Sequence, residues 1–452
     1  MTSAPSIVWL RDDLRLADNP ALLAGVDRGN PVIVLYILDD ESPEIRPLGA
    51  ARRWWLHHSL DKLGADVAAL GGSLTLKRGP AETVLPALIA ETGAEAVYWN
   101  RRYSAAREID ARLKASLRDQ GIEADSFQAN LIFEPWTITT GDGNPYRVFT
   151  PFWRACVERG AQRQPFAAPA EIAGFAASTD ALDDWALLPT DPDWAGGLRE
   201  HCSPGEAAAL ERLENFVDDV LDDYDKRDQP GAIATSGLSP HLCFGEISPL
   251  QIWHRVRSIA KPNAVKFLSE LGWREFNYSI LYSFPALHTD NYRPAFDAFP
   301  WSEPDPGELE AWKKGRTGIP LVDAGMRELW VSGAVHNRVR MVVASFLIKN
   351  LLIDWRVGEA WFWDCLVDAD EANNAANWQW VAGSGADAAP YFRVFNPVLQ
   401  AEKFDPGQRY IRRWVPEVGT DGYPEPIVDL RQSRADALAA YETMKRSTPA
   451  AD

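Results

Sequence analysis

A chain of 452 residues, 46% hydrophobic and 24% charged, has the composition of an ordinary globular protein and the length for two or three domains, each with its own core. A formal net charge of −18 excludes a surface that coats nucleic acid at large, because non-specific affinity comes from Lys and Arg neutralising phosphates; any DNA contact has to be local. No run reaches ~18 uninterrupted apolar residues, and the opening Met-Thr-Ser-Ala-Pro-Ser lacks the basic and apolar regions of a signal peptide, so the expectation is a soluble, cytoplasmic protein that does not enter a membrane.

From residue 6 to about 133, apolar runs alternate with amphipathic stretches. Ile7-Val8-Trp9-Leu10, Pro31 to Leu38, Leu74-Thr75-Leu76 and Ala96 to Trp99 read as buried strands, while 20–28, 49–70, 80–92 and 104–120 have helical spacing. This rhythm predicts an α/β domain over residues 1–133, a doubly wound parallel sheet of about five strands. No Gly-x-Gly-x-x-Gly follows the first strand, so nothing supports diphosphate binding there, and Gly141-Asp142-Gly143 marks only a turn. Residues 134–205 are rich in Pro, Gly and Trp with little periodicity, including Pro135, Pro145, Pro151, Pro165, Pro169, Pro189, Pro192 and Pro204, and read as an interdomain connector. Amphipathic helices then dominate, at 206–223, 248–259, 264–283, 319–332, 335–352, 358–366 and 371–381, so residues 206–452 are predicted to form an all-α domain. Ser447 to Asp452 are expected to be disordered.

Cys156, Cys202, Cys243 and Cys365 stand far apart with no Cys-x-x-Cys pair, and His57 and His58 point to different faces of a helix, so the expectation is reduced, structural cysteines and no metal. Asp218, Asp219, Asp222, Asp223 and Asp225 read as a solvated helix face. The local basic segment is 393–413, where Arg393, Lys403, Arg409, Arg412 and Arg413 face only Glu402 and Asp405.

Four stretches are too polar or too aromatic for plain core. Between Asp368 and Tyr391, acids, amides and indoles recur at one-turn spacing; if Asp370 caps a helix, Asn374 and Trp378 follow at i+4 and i+8 on one face, suited to a flat polar ring. Thr235-Ser236-Gly237-Leu238-Ser239-Pro240 is a hydroxyl cluster opening a helix, either a phosphate site or a simple cap. In the helix at 264–283, Phe267, Glu270, Trp273, Arg274 and Asn277 form a stripe of mixed polarity, which a Glu270–Arg274 ion pair would also explain. In His336-Asn337-Arg338-Val339-Arg340-Met341, Asn337 and Met341 share a face while Arg338 and Arg340 diverge.

These stretches, with Trp-Arg-Glu-Phe at 273–276, Phe392-Arg393-Val394-Phe395-Asn396-Pro397 and Trp-Leu-Arg-Asp-Asp-Leu-Arg-Leu at 9–16, resemble the DNA photolyase and cryptochrome family, most of all its bacterial cyclobutane pyrimidine dimer photolyases. The resemblance implies FAD, held by Tyr224, Thr235, Ser236, Gly237, Leu238, Ser239, Phe267, Glu270, Arg274, Asn337, Arg340, Asp368, Asp370 and Asn374. It implies that Arg340 pairs with Asp368 and that the Asn374 amide lies beside the flavin N5. Glu270, Asn337 and Asn374 would serve catalysis, and Trp301, Trp355 and Trp378 would relay electrons from the surface to the flavin. Trp273, Arg338, Met341 and Trp380 would meet a lesion flipped out of damaged DNA, and Arg393 and Lys403 its flanking phosphates. Met341 stands where members acting on (6-4) photoproducts carry histidine, which favours cyclobutane dimers. The resemblance further implies a monomer and a second, antenna chromophore in the first domain, a folate, a deazaflavin or another flavin; Ser104-Ala105-Ala106 departs from the Asn-Glu pair of folate binders. The competing readings are a cryptochrome photoreceptor, whose usual carboxy-terminal extension is missing, and a flavoprotein that binds DNA without turnover.

Overall fold

The computed structural model of the protein describes residues 4–389 and 391–447; the expected disorder at 448–452 lies outside the described residues, and Ser447 ends a helix. Five parallel strands, β1 (Ser6–Leu10), β2 (Val32–Leu38), β3 (Leu74–Arg78), β4 (Ala96–Asn100) and β5 (Glu123–Phe127), form one sheet in the order β3-β2-β1-β4-β5. Every residue of β1, β2 and β4 is buried, as near-continuous apolar strands require. Alternation then divides the side chains between two layers. Val8, Leu10, Val34, Tyr36 and Tyr98 pack with the helices Pro20–Asp27 and Ala50–Ala69, whereas Ile7, Trp9, Ile33, Leu35, Val97 and Trp99 pack with Ala81–Thr92 and Arg107–Asp119.

The strand order reverses between β1 and β4, and such a switch point leaves a crevice outside the carboxyl ends of the strands. The residues that follow those ends, Arg11 and Asp12, Asp39 and Asp40, and Arg101 to Ser104, line a cleft whose other wall is helical: Cys243, Arg274, Tyr278, Trp363, Asp370 and Glu371. The helical region carries two large cores, one centred on Trp312, Phe346, Trp355 and Trp378, the other on Phe152, Phe216, Trp253 and Phe276.

Segment 134–205 is more than a connector. It contains the helix Phe149–Arg159, whose Phe149, Phe152 and Cys156 join the second helical core, while Ile172 N bonds to Leu70 O at the end of the helix Ala50–Ala69 and Phe175 N bonds to Val32 O at the start of β2. The helices Pro306–Lys313, Pro397–Phe404, Arg409–Trp414 and Leu430–Ser447 were not expected either. In the last, Ser433, Ala437 and Met444 are the buried residues, too sparse a stripe to announce itself. Two expected helices change their hydrogen-bonding pattern along their length. The one at 206–223 is α-helical to Asn215, widens into a π turn at Phe216–Val220 and tightens into a 3-10 segment at Leu221–Lys226, and the one at 335–352 is α-helical at Asn337–Ser345 and continues as a π turn at Phe346–Asn350. Among the described residues no helix is long and apolar enough to cross a membrane.

The domains meet at close range. Gly245, at φ +64°, has Asp12 O only 2.0 Å from where a Cβ would sit, and Gly49 stands equally near Trp363 O. Buried and part-buried polar bonds cross the same seam: Arg15 donates to Gly245 O, Glu206 accepts from Leu16 N and Ala17 N, and Trp363 Nε1 donates to Pro47 O.

Candidate functional site

The helix Asn373–Ala382 organises the site. Asp370 caps it from the preceding turn, as the sequence suggested: Oδ1 accepts from Ala372 N at 2.9 Å and Asn373 N at 2.6 Å, and Oδ2 accepts from Asn373 Nδ2. Burial raises the Asp370 carboxyl pKa, against which the Asn373 bonds and the charges of Arg274 and Arg52 pull. Asn374 and Trp378 follow on one buried face. Asn374 engages the protein through its amide nitrogen, which donates to Glu359 Oε1 at 2.8 Å and Glu359 O at 3.1 Å.

Next to this cap, Asp368 receives Arg340 Nη2 on both oxygens, at 3.0 and 2.9 Å, and Ser239 Oγ at 2.6 Å. That pairing neutralises a buried carboxylate and ties the hydroxyl loop to the cap region. In the loop, Thr235 and Ser239 are exposed, Leu238 is buried and Gly237 takes a φ of +64°. The helix it opens, Ser239–Cys243, is one short turn, so an anion there would meet the hydroxyls rather than a long helix dipole. Tyr224 and Phe267 pack edge-on at 5.5 Å in the neighbouring core.

The stripe on the helix Pro262–Ser283 divides. Arg274 is buried and donates to Asn130 O and Glu275 Oε1, its guanidinium 4.7 Å from the Tyr278 ring centre. The intrahelical Glu270–Arg274 pair therefore does not form; Glu270 turns to Lys266 at 2.9 Å and Arg227 at 3.7 Å. Trp273 stacks on Phe149 at 3.9 Å and shares a small pocket with Asn277, Ala376 and Trp380. Trp380 Nε1 donates to Asp387 O, and Arg393 lies 5.6 Å from the Trp380 ring and 5.3 Å from Tyr391, which is 60% exposed. This makes an open rim of aromatic faces and a cation.

Asn337 is exposed at the start of its helix, and Met341 leans on the first helical core. Arg338 pairs with Asp228 at 3.0 Å and covers Phe404, which the exposed Lys403 also approaches. His336 caps this helix through Nδ1, and burial lowers its pKa to about 4, so the ring is a neutral acceptor. Of the three indoles picked for a relay, Trp378 and Trp355 are buried in one core, and Trp301 is a partly exposed residue packed against that core. Trp378 meets Phe362 edge-on at 4.9 Å, Trp355 Nε1 donates to Asn291, and Trp301 lies against Phe299 at 4.3 Å. Sequence reasoning missed Phe149, Glu359, Asp228 and Phe404. Each acquires its place through contacts more than a hundred residues away or from an unexpected helix, apart from Glu359, fifteen residues before its partner Asn374.

Two family models match, "DNA photolyase" over residues 6–170 and "FAD binding domain of DNA photolyase" over 267–420. A deoxyribodipyrimidine photo-lyase of Agrobacterium fabrum is 48% identical, with 99% of this chain and all of the relative covered. The chain belongs to the DNA photolyase family. Its fold agrees: a bacterial class III photolyase structure from Agrobacterium tumefaciens superposes with a TM-score of 0.95 at 48% identity, covering 99% of each chain. An archaeal photolyase from Sulfolobus tokodaii, solved with two FAD molecules, gives 0.84 at 30% identity, covering 97% of this chain and 99% of that one. Cryptochrome-1 of Arabidopsis thaliana is 35% identical over 97% of this chain and 70% of its own length. The residues present fit the FAD that the family model names. Hydroxyls at 235 and 239 suit its phosphates, Arg340 balances Asp368, and Asn374, which among the described residues is bonded through its side-chain nitrogen and not its side-chain oxygen, has that oxygen available for a ring donor.

Proposed function

We propose that this chain is a light-driven deoxyribodipyrimidine photo-lyase: it takes a cyclobutane pyrimidine dimer flipped out of DNA and splits it with FAD as resident cofactor. One observation carries the reading. A single helix, Asn373–Ala382, capped by Asp370, carries Asn374, the buried Trp378, and Trp380 at the open aromatic rim, which supports a reading with cofactor, relay and substrate along one rigid element.

When bound, reduced FAD supplies on illumination the electron that opens the two crosslinking bonds and recovers it afterwards. The protein's work is position, electrostatics and exclusion of water. Tyr224, Thr235, Ser236, Gly237, Leu238 and Ser239 hold the phosphate side; Arg340, Asp368, Asp370 and Asn374 hold the ring side; Phe267, Arg274 and Asn337 complete the cradle. Trp273 and Trp380 stack on the extruded lesion, Glu270 hydrogen-bonds it once released from Lys266 and Arg227, and Arg338 and Met341 line its approach. Arg393 and Lys403 meet flanking phosphates, so binding weakens as salt rises despite the acidic whole. Trp378, Trp355 and Trp301 pass electrons inward from the surface. The chain works as a monomer in the cytoplasm.

The cleft at the sheet's switch point supports a second, light-harvesting chromophore. It combines the Tyr36 ring with the cations Arg11, Arg52 and Arg102, a set suited to an aromatic, anionic molecule. Illumination of the purified protein with dimer-containing DNA tests the central reading. Loss of dimers only in the light is the expected result, and binding without loss would favour the cryptochrome reading.

A further inference from the structure

Glu359 is the least expected member of the site. It is 2% exposed, comes from the helix Trp355–Cys365, and is gripped from the other domain. Arg46 donates Nη1 to Glu359 Oε1 at 2.7 Å and Nη2 to Oε2 at 2.9 Å, a two-pronged pair, while its guanidinium lies 4.0 Å from the Trp363 ring. The same Oε1 accepts the Asn374 amide nitrogen at 2.8 Å, and the Glu359 backbone oxygen accepts it as well. His288 lies near this group; burial first and then the Arg46 charge lower its pKa, against the pull of Glu359 and Asp290.

An ionised carboxylate can only accept hydrogen bonds, and an amide has one donating and one accepting end. With both Glu359 oxygens already accepting from the Arg46 fork, the Asn374 nitrogen has to face it. The Asn374 oxygen then faces the other way. We propose that Arg46, a residue of the N-terminal domain, is a positioning residue for the flavin site: by clamping the Glu359 carboxylate it fixes the Asn374 amide with its oxygen toward the cofactor. The proposal rests on the FAD reading above. A reduced flavin carries hydrogen on N5 and can donate to that oxygen, whereas an oxidised N5 has only a lone pair. The clamp thus favours the reduced state. Without Arg46 the carboxylate loses the fork that fixes its position, and the amide it orients is free to turn over.

The test compares Arg46→Gln, Arg46→Lys and Asp364→Ala with the parent, each loaded with FAD. Asp364 accepts from Ala50 N at 2.9 Å on the same seam but leaves Glu359 alone, so it reports general loosening. Two signals are read: the rate at which the reduced flavin reoxidises in air, and the side-chain amide carbonyl band of asparagine in isotope-edited infrared difference spectra. Arg46→Gln should reoxidise about tenfold faster and shift the band, the scale set by one lost charge-assisted bond. Arg46→Lys should fall between, and Asp364→Ala should match the parent. Unmoved band and rate in whichever Arg46 variant folds overturn the proposal, as does an equal change in Asp364→Ala. A parent chain that binds no FAD removes the cofactor reading itself, a different failure visible before any variant is made.

Discussion

The cradle and the rim occupy opposite ends of the helix Asn373–Ala382, and they are built on opposite terms. In the cradle, Asp368, Asp370 and Asn374 already hold protein partners, so its shape is set by buried, charge-assisted bonds before anything binds. At the rim, Trp273, Trp380, Tyr391 and Arg393 offer aromatic faces and one cation, with Tyr391 60% exposed. A prebuilt polar socket suits a ligand that stays. An aromatic, lightly tethered rim suits one that arrives with its own charge and leaves.

The contrast can be broken most forcefully at Asp370. Asp370→Ala removes two backbone caps and the Asn373 contact, and should cost about 3 kcal/mol of stability together with retention of FAD, read by thermal unfolding and flavin absorbance. Retained flavin would show the socket to be less preset than its bonds suggest.

A pH test at the helix bearing Arg340 comes next. His336 ordinarily titrates at 6.5 but at about 4 when folded, because burial disfavours its charged form. Between those values the unfolded chain binds a proton that the folded chain refuses, so this contribution is full above 6.5 and is lost as pH falls through about 4. His336→Asn keeps a capping side chain and should remove on the order of 2 kcal/mol of the stability lost between neutral and acid pH, measured by denaturant melts.

The rim should answer differently. Trp380→Ala should weaken binding of dimer-containing DNA by about 1–3 kcal/mol while leaving flavin content and melting little changed. Equal weakening for undamaged DNA would erase the distinction between lesion stacking and general contact. Smallest of all, Lys403→Ala should lower the salt dependence of DNA binding by about one unit of slope across all sequences, measured by titration at several ionic strengths.

What was legible in the sequence follows the same division. The sheet announced itself because strands buried on both faces are continuous apolar runs, and Ile7 to Leu10 and Val32 to Leu38 could be little else. The Asp370 cap and the Asn374–Trp378 face followed from local periodicity. Arg340 with Asp368 came from resemblance alone, and the geometry agrees. Phe149 was hidden because its helix sits in a proline-rich stretch, where Pro151 is tolerated only because it falls in the first turn. Arg46 was hidden because its partner lies 313 residues away and no local pattern marks either. The Glu270–Arg274 pair failed for a related reason: spacing permits a contact, but a buried carbonyl at Asn130 claims the guanidinium first.

The seam at Gly49 and Gly245 has a consequence for how light would be used. Where two backbones approach too closely to admit even a methyl group, the lobes pack backbone to backbone, and any movement that presses them closer meets a collision. Any pigment seated above the strands would then keep one distance and one angle to the ring in the helical lobe. Energy hopping between two such dyes falls steeply with separation and depends on mutual orientation. A clamp of bare glycines would thereby act as an optical mount, holding the efficiency of the hand-over constant from one photon to the next.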